Sequence, residues 1–349
     1  MRLGAMGDIL HALPAVTALR ALHPEWTIGW AVEPHWRPLL CAKYGSGASA
    51  TNDSGRRLTM PLVDRLHMVA AKSWGRKPLS RETLRDIRRV RSELRAAQYD
   101  VCVDLQGAVR SALIGRWARP DRMIGEEQPR EFAARWLFGE KVATRGVHVI
   151  EQALEVAGAI ACEHLPFLAP ELPYDSRAEE WCARFVEAKA WGPMVLMNPG
   201  AGWGAKQWPA AWYGQVAAML AERGYFVVVN TRESEEALGA ELVKASGNTA
   251  VQVDPSLGEL ISLTRLASLM IAGDTGPLHL ACALGKPVVG IFGPTDPARN
   301  GPFGCEHRVL RHPESKRDHS RRAEPEAGLL TIQPEAVFAA ALDLLEERE

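Results

Sequence analysis

At 349 residues the chain exceeds the usual size of one domain, and two domains are expected. A composition of 47% apolar and 24% charged residues is that of a soluble globular protein, and no apolar run approaches the roughly 20 residues that span a bilayer. The net charge of −1 hides an asymmetry: residues 1–150 hold 24 Lys and Arg against 15 Asp and Glu, while the rest hold 17 against 27. The first half is therefore the one suited to an anionic partner.

The first three residues, Met1-Arg2-Leu3, are the only candidate for a strand ahead of the Gly4-Ala5-Met6-Gly7-Asp8 turn. Either that strand is very short or the chain lacks residues that a natural start would supply. Gly7-Asp8 and His11 interrupt any secretory-type apolar core. Ile9 to Leu22 reads as a helix, since Ile9, Leu13, Val16 and Leu19 share one face; Pro14 predicts a late start or a bend there. Thr27 to Val32 reads as a strand, and glycine- and serine-rich Gly45 to Gly55 as a loop. Arg81 to Gln98 is a long amphipathic helix capped by Ser80. Its many arginines are read equally as a solvated face and as a surface for an anionic acceptor or membrane. Val101 to Leu105 is a strand, with helices at Ser111–Ala118, Glu131–Phe138 and Val149–Ala159.

Pro166, Pro170 and Pro173 mark a linker within HLPFLAPELPYD. Beyond it, strands at Pro193–Met197, Phe226–Asn230, Leu269–Ala272 and Val288–Phe292 alternate with helices at Ala210–Arg223, Glu233–Ala245 and Leu257–Ser268. Such alternation argues βαβ units and a parallel sheet. His312–Ala327 is expected to be an exposed loop and Gln333–Glu347 a last amphipathic helix. Cys41, Cys102, Cys162, Cys182, Cys282 and Cys305 are scattered without a C-x-x-C pair, which points to reduced thiols in a cytosolic protein.

Leu269 to Pro297 carries the most chemistry. Two apolar runs each end in a polar glycine turn, Gly273-Asp274-Thr275-Gly276 and Gly293-Pro294-Thr295-Asp296. In a parallel sheet these turns lie beyond the strand carboxyl ends, where ligands bind. A helix starting at Thr275 or Gly276 aims free N–H groups at an anion, so a phosphate-bearing ligand is expected between Asp274 and His279. No G-x-G-x-x-G follows a first strand, which argues against a dinucleotide-dependent dehydrogenase.

Four segments in order resemble the lipopolysaccharide heptosyltransferases, glycosyltransferase family 9, and most of all the type I members: residues 2–20, DLQGAVRSALIGR (104–116), NPGAGWGAKQWP (198–209) and GDTGPLHLACALGKPVVGIFGPTDP (273–297). The resemblance implies a GT-B architecture, α/β, in which two Rossmann-like domains with parallel sheets face a central cleft. Residues 1–165 would take the acceptor, residues 175–330 the nucleotide-sugar donor, and residues 331–349 would form a C-terminal helix. It also implies an inverting transfer of heptose from ADP-L-glycero-β-D-manno-heptose to the Kdo-lipid A inner core, needing no catalytic metal or cofactor. The work would be done in the cytoplasm at the inner face of the inner membrane, with no transmembrane segment and no nucleic acid. The alternatives are another family 9 or GT-B nucleotide-sugar enzyme, an epimerase included, or a non-catalytic nucleotide-binding module.

An inverting transfer needs a carboxylate to take the acceptor proton, and Asp8 is the candidate; its bland reading is an N-cap for the helix from Ile9. Lys206 is the candidate for stabilising the departing phosphate, against the reading of an exposed surface lysine. Thr275, Gly276 and His279 would hold the diphosphate. Asp274, of the wrong sign for phosphate, is assigned to sugar or ribose hydroxyls or to a helix cap. Gly200 and Ala201 offer backbone contacts, and the resemblance puts Glu235 and Leu257 on the adenosine side. Acceptor candidates are Gly7, Asp8, Arg110 and Arg130, with Asp104, Gln106 and Gly107 ending a strand towards the same site. An arginine grips a carboxylate or phosphate bidentately; the competing reading of each arginine is a surface ion pair.

Overall fold

The structure is a computed structural model that describes residues 1–45, 51–52, 55–189, 192–315, 317–318 and 322–347. Parts of the two expected loops, Gly45–Gly55 and His312–Ala327, lie outside the described residues. The chain divides into two compact units, Met1–Lys43 with Gly47–Pro173, and Tyr44–Ser46 with Tyr174–Glu349. Residues 163–175 carry neither helix nor strand.

The first unit contains α1 (Met6–Leu22), β1 (Gly29–Val32), β2 (Arg65–Met68), α2 (Ala71–Arg76), α3 (Arg81–Ala96), β3 (Val101–Asp104), α4 (Val109–Trp117), β4 (Arg122–Glu126), β5 (Glu140–Val142) and α5 (Val149–Gly158). All strand pairs are parallel, in two ladders, β1–β2 and β3–β4–β5. Met1–Leu3 joins them. The N-terminal ammonium donates to the Val103 carbonyl at 2.6 Å, and the Leu105 N–H donates to Met1 O at 3.1 Å, the alternation of a parallel ladder. On the other side Glu33 N–H donates to Leu3 O at 3.0 Å, and Leu3 is buried with Ala31, Val69 and Val90. Residues 1–3 thus bridge the two ladders through backbone bonds without forming a regular strand. From there α1 begins at Met6, earlier than expected, and runs through Pro14 without interruption. Pro14 removes only its own bond to the Leu10 carbonyl, and burial of Ile9, Leu13 and Leu19 outweighs that loss.

The second unit contains α6 (Ser176–Lys189), β6 (Met194–Asn198), α7 (Ala210–Glu222), β7 (Phe226–Asn230), α8 (Glu236–Ala245), β8 (Val251–Val253), α9 (Leu257–Leu266), β9 (Leu269–Gly273), α10 (Gly276–Ala283), β10 (Val288–Phe292), α11 (Pro297–Asn300), β11 (His307–Arg311) and α12 (Pro334–Glu346). Its six strands are parallel, in the order β11-β10-β9-β6-β7-β8. This is the doubly wound order, whose direction of winding reverses between β6 and β9. The apolar runs of β6, β7, β9 and β10 are buried along their whole length, as expected for strands covered on both faces. Val337, Ala341, Leu344 and Leu345 of α12 pack into the core formed by α7 and the sheet.

Several expectations need correction. Glu131–Phe138 is not an α-helix but a 3-10 turn over Phe132–Leu137. Helix α8 is entered through a 3-10 turn at Glu233–Glu235. Strands β2, β4, β5, β8 and β11 and helices α2, α6 and α11 were not expected. Sequences such as RLHM and EKV are too short and polar to show a period.

Trp208, 1% exposed, packs its ring edge-on against Trp212 and Tyr213 and donates from Nε1 to Ile332 O at 3.0 Å, tying the entry of α12 to α7. Trp208→Ala is expected to destabilise the second unit by about 3–5 kcal/mol, measured by urea unfolding. A loss below about 1 kcal/mol would remove Trp208 as the anchor of α12.

Candidate active site

Asp8 lies in the first turn of α1, and Gly7 precedes it in the same turn. Asp8 is not the N-cap of a helix from Ile9; Ala5 holds that position, and Asp8 Oδ2 reaches back to accept from the Ala5 N–H at 3.0 Å. Asp8 Oδ1 pairs with Arg2 Nη2 at 2.7 Å, and Arg2 also donates to the Leu105 carbonyl at the end of β3. The N-terminal segment thereby orients the carboxylate of α1 through Arg2. Asp8 remains 36% exposed, open enough to meet a ligand.

Asp104 ends β3 fully buried and does not face a ligand. Its carboxylate accepts from the Gln106 and Gly107 N–H groups at 2.7 and 2.9 Å and from Ser111 Oγ at 2.7 Å. Burial pushes its pKa up, against the N-terminal ammonium and these hydrogen bonds. Gln106 Oε1 accepts from the Leu3 N–H at 2.7 Å. Gly107 adopts φ +64°, and a Cβ there would lie 2.9 Å from the Arg130 nitrogen. Only glycine lets the turn after β3 touch the Pro129–Arg130 segment. Arg130 is exposed, and among the described residues its side chain makes no ion pair. Arg110, on α4, is also exposed and donates to the Ala71 carbonyl at 3.3 Å. The two arginines thus flank the turn after β3 without carboxylate partners among the described residues.

In the second unit the candidate residues lie mostly in the turns after β6 and β9, the two strands on either side of the winding reversal. Lys206 closes a 3-10 turn, Gly204–Lys206, in the loop after β6. It is 11% exposed, so it is not a surface lysine. Its Nζ is ion-paired with Asp274 Oδ2 and stands 4.4 Å from the Trp203 ring centroid. Asp274 Oδ1 meets His279 Nε2 at 3.1 Å. Asp274 therefore does not cap α10; Thr275 holds the N-cap position, and its hydroxyl donates to the Gly273 carbonyl at 3.2 Å. Burial alone would raise the Asp274 pKa. The hydrogen bond and charge of His279, with the charge of Lys206, overcome it and hold the carboxyl well below the usual range. Beside this network the first turn of α10 leaves its N–H groups without intrahelical acceptors, and Pro277 has none to offer.

Gly200 and Ala201 lie in the loop after β6. The Gly200 carbonyl accepts from Asn198 Nδ2 at 2.9 Å, and Asn198 Oδ1 accepts from Asn230 Nδ2 at 2.7 Å. A Cβ on Gly200 would meet the Glu235 carboxylate at 2.5 Å, so the two candidate residues come together. Glu235 is held by Arg232, whose Nη2 donates at 2.8 Å. Leu257 opens α9 behind the Ser256–Glu259 capping box.

Sequence reasoning missed Arg2, Arg232 and the Asn198–Asn230 pair. An asparagine ending each of two apolar strands, VLMN and VVVN, was the available signal. It also missed Thr295 in the turn after β10. This residue is 2% exposed, and its hydroxyl has no partner among the described residues.

Known proteins resemble this chain in sequence and in fold. Glycosyltransferase family 9 (heptosyltransferase) matches residues 87–329. Lipopolysaccharide heptosyltransferase 1 of Pseudomonas aeruginosa is 28% identical over 318 residues, covering 87% of this chain and 80% of the relative. The solved structure of Escherichia coli ADP-heptose LPS heptosyltransferase II superposes with a TM-score of 0.76 at 21% identity, over 100% of this chain and 99% of the other. That of E. coli heptosyltransferase WaaC with ADP gives 0.75 at 22% identity, over 98% of each chain. The fold of this chain is theirs, GT-B with Rossmann-like units.

Removing the Asp274 carboxylate leaves Lys206 and His279 buried without their common partner. Asp274→Ala is expected to cost about 3–5 kcal/mol at neutral pH. Since Asp274 titrates below its ordinary 3.8, the pairing contributes in full above that pH and is lost as acid carries the pH towards the depressed folded value. Urea unfolding at stepped pH should therefore show wild type and variant converging below about pH 4. A gap independent of pH would contradict the ionic account.

Proposed function

The chain belongs to glycosyltransferase family 9 (heptosyltransferase), and from that membership we propose that it moves a heptose from ADP-L-glycero-β-D-manno-heptose to the Kdo-lipid A inner core, with inversion at the anomeric carbon. The observation that carries the donor half is the buried Lys206–Asp274–His279 network beside the first turn of α10.

The ADP diphosphate lies on the N–H groups of the Thr275–Gly276 turn, where the helix N-terminus favours negative charge. Lys206, held by Asp274 and resting on Trp203, adds a fixed cation on the departing phosphate, and His279 stands one turn on. Gly200 and Ala201 offer backbone contacts to the donor, while Glu235 and Leu257 serve the adenosine side. Asp8 takes the proton of the acceptor hydroxyl as its oxygen bonds to the anomeric carbon and the bond to the phosphate oxygen breaks. Arg2 keeps the Asp8 carboxylate oriented. Gly7 gives backbone access to the acceptor beside Asp8. Arg110 and Arg130 take the carboxylate and phosphate groups of the acceptor, in the unit with the basic excess. A glycolipid acceptor brings the enzyme to the inner face of the inner membrane as a peripheral protein. Among the described residues no helix is long and apolar enough to cross it.

Asp8→Asn keeps an acceptor for the Ala5 N–H but no base. Turnover with ADP-heptose and Kdo-lipid A is expected to fall by about 10²–10⁴ with ADP affinity unchanged by calorimetry. Near wild-type turnover would remove the base role. In Lys206→Ala, transfer should fall by about 10²-fold or more; an unchanged rate would sink its part in leaving-group departure. Wild-type protein that binds ADP yet makes no product from ADP-heptose, while accepting a UDP-sugar, would overturn the donor.

A further inference from the structure

The proposed transfer makes no use of the arginine-rich α3. Val90 and Leu94 of α3 and Ile114 and Ala118 of α4 share one core with Leu3 and Ala31, and the two helices pack side by side. The 3-10 turn Phe132–Leu137 packs on α4 in turn, where Arg116 Nε donates to the Leu137 carbonyl at 2.9 Å. With α2, these elements form one layer of the first unit.

On α3 the charges are sorted by flank. Arg89 pairs with Asp86 at 2.6 Å and Glu93 at 2.7 Å and donates to the Met68 carbonyl at 3.3 Å. That flank faces β2, and its charges are spent on one another. Arg81, Arg85, Arg88 and Arg91 follow the other side of the helix at intervals of three and four residues. All four are exposed, and none has an ion pair among the described residues. Residues 71–98, 109–119 and 130–137, which build the layer, hold 14 Lys and Arg against 4 Asp and Glu, whereas the whole chain holds 41 against 42.

Apolar side chains stand among these cations. Of the ten exposed large apolar side chains among the described residues, five belong to this layer: Leu79, Leu84, Leu113, Phe132 and Trp136. Leu79, at 87%, is the most exposed of the ten, and it lies between Lys77 and Arg81. Trp136 is 74% exposed, and the Arg135 guanidinium stands 5.7 Å from its ring and 4.8 Å from that of Phe132. A single exposed leucine needs no explanation, but half of the exposed apolar side chains gathered on one cationic layer do.

We propose that the outer side of the α2–α3–α4 layer is the membrane-docking face of the protein and takes the headgroups of an anionic phospholipid bilayer. The proposal deepens the peripheral location given above, on which it rests, by naming the surface and the lipid class. A phosphate polymer would satisfy the arginines and leave the leucines in water. A lipid interface satisfies both, because basic side chains meet the headgroup charges while Leu79, Phe132 and Trp136 enter the boundary with the acyl chains. The arginine stems lie along that boundary with their guanidinium groups in the headgroup layer.

The test is flotation of the full-length protein with vesicles that contain no acceptor. Binding is expected to vesicles of equal parts phosphatidylglycerol and phosphatidylcholine, to weaken in high salt, and to be at background on phosphatidylcholine alone. Arg85→Glu with Arg88→Glu should weaken it at least about tenfold, and Leu79→Ser with Trp136→Ser by a similar factor. All four positions are exposed, so ADP affinity and transfer to a detergent-dispersed acceptor should stay at wild-type values in both variants. Binding retained by both variants, or equal on the two kinds of vesicle, would overturn the proposal. So would tight binding of duplex RNA with vesicle binding at background, which would give the arginine stripe to nucleic acid. Wild type that floats with anionic vesicles yet transfers no heptose would sink the function proposed above and leave the surface standing. Transfer to the dispersed acceptor without flotation would sink the surface alone.

Discussion

A carboxylate at 9% exposure must be paired or protonated, and Asp274 is paired twice. Much of the second unit follows from that one group. Its two partners come from different elements, Lys206 from the loop after β6 and His279 from α10 after β9. Each partner fixes one wall of the crevice at the winding reversal. The sheet supplies the crevice by strand order alone, but strand order does not hold a loop in place. The ion network does, and it keeps the Thr275–Gly276 turn beside a cation rather than beside water.

The first unit solves a comparable problem with different parts. Its two ladders would be separate ribbons without Met1–Leu3, whose backbone groups bond on both sides. Because those residues are extended, Arg2 reaches both the end of β3 and the Asp8 carboxylate. The turn after β3 is organised from inside by Asp104, which spends its acceptors on Gln106, Gly107 and Ser111. A buried carboxylate here serves geometry, while Arg110 and Arg130 nearby stay exposed.

The parts legible in the sequence were those with a long period or a long apolar run. Phe226–Asn230 and Val288–Phe292 are found at their expected limits because a strand buried on both faces has no polar interruption. The amphipathic α3 was legible for the same reason, down to its Ser80 cap. Arg65–Met68 and Glu140–Val142 were not, since three or four residues that carry charge to a sheet edge show no alternation. The turn at Asp274 was legible as a polar break after an apolar strand, yet its internal pairing was not. Lys206 and Asp274 are 68 residues apart, and only the sheet makes them neighbours.

A lysine already neutralised by an aspartate might be thought a poor partner for a phosphate. For binding alone that objection holds, since the pair has spent part of its field. For a leaving group the arrangement has a different merit. On the proposed donor reading, Asp274 holds Lys206 in place beside the phosphate, so no solvent need reorganise when charge develops on the departing oxygen. The Trp203 ring fixes the far side of the ammonium without competing as an acceptor. The helix N-terminus supplies neutral N–H donors that bear no counter-ion. On that same reading, ground-state attraction is held modest while stabilisation grows with the charge of the transition state, the condition under which binding energy accelerates the step instead of trapping the donor.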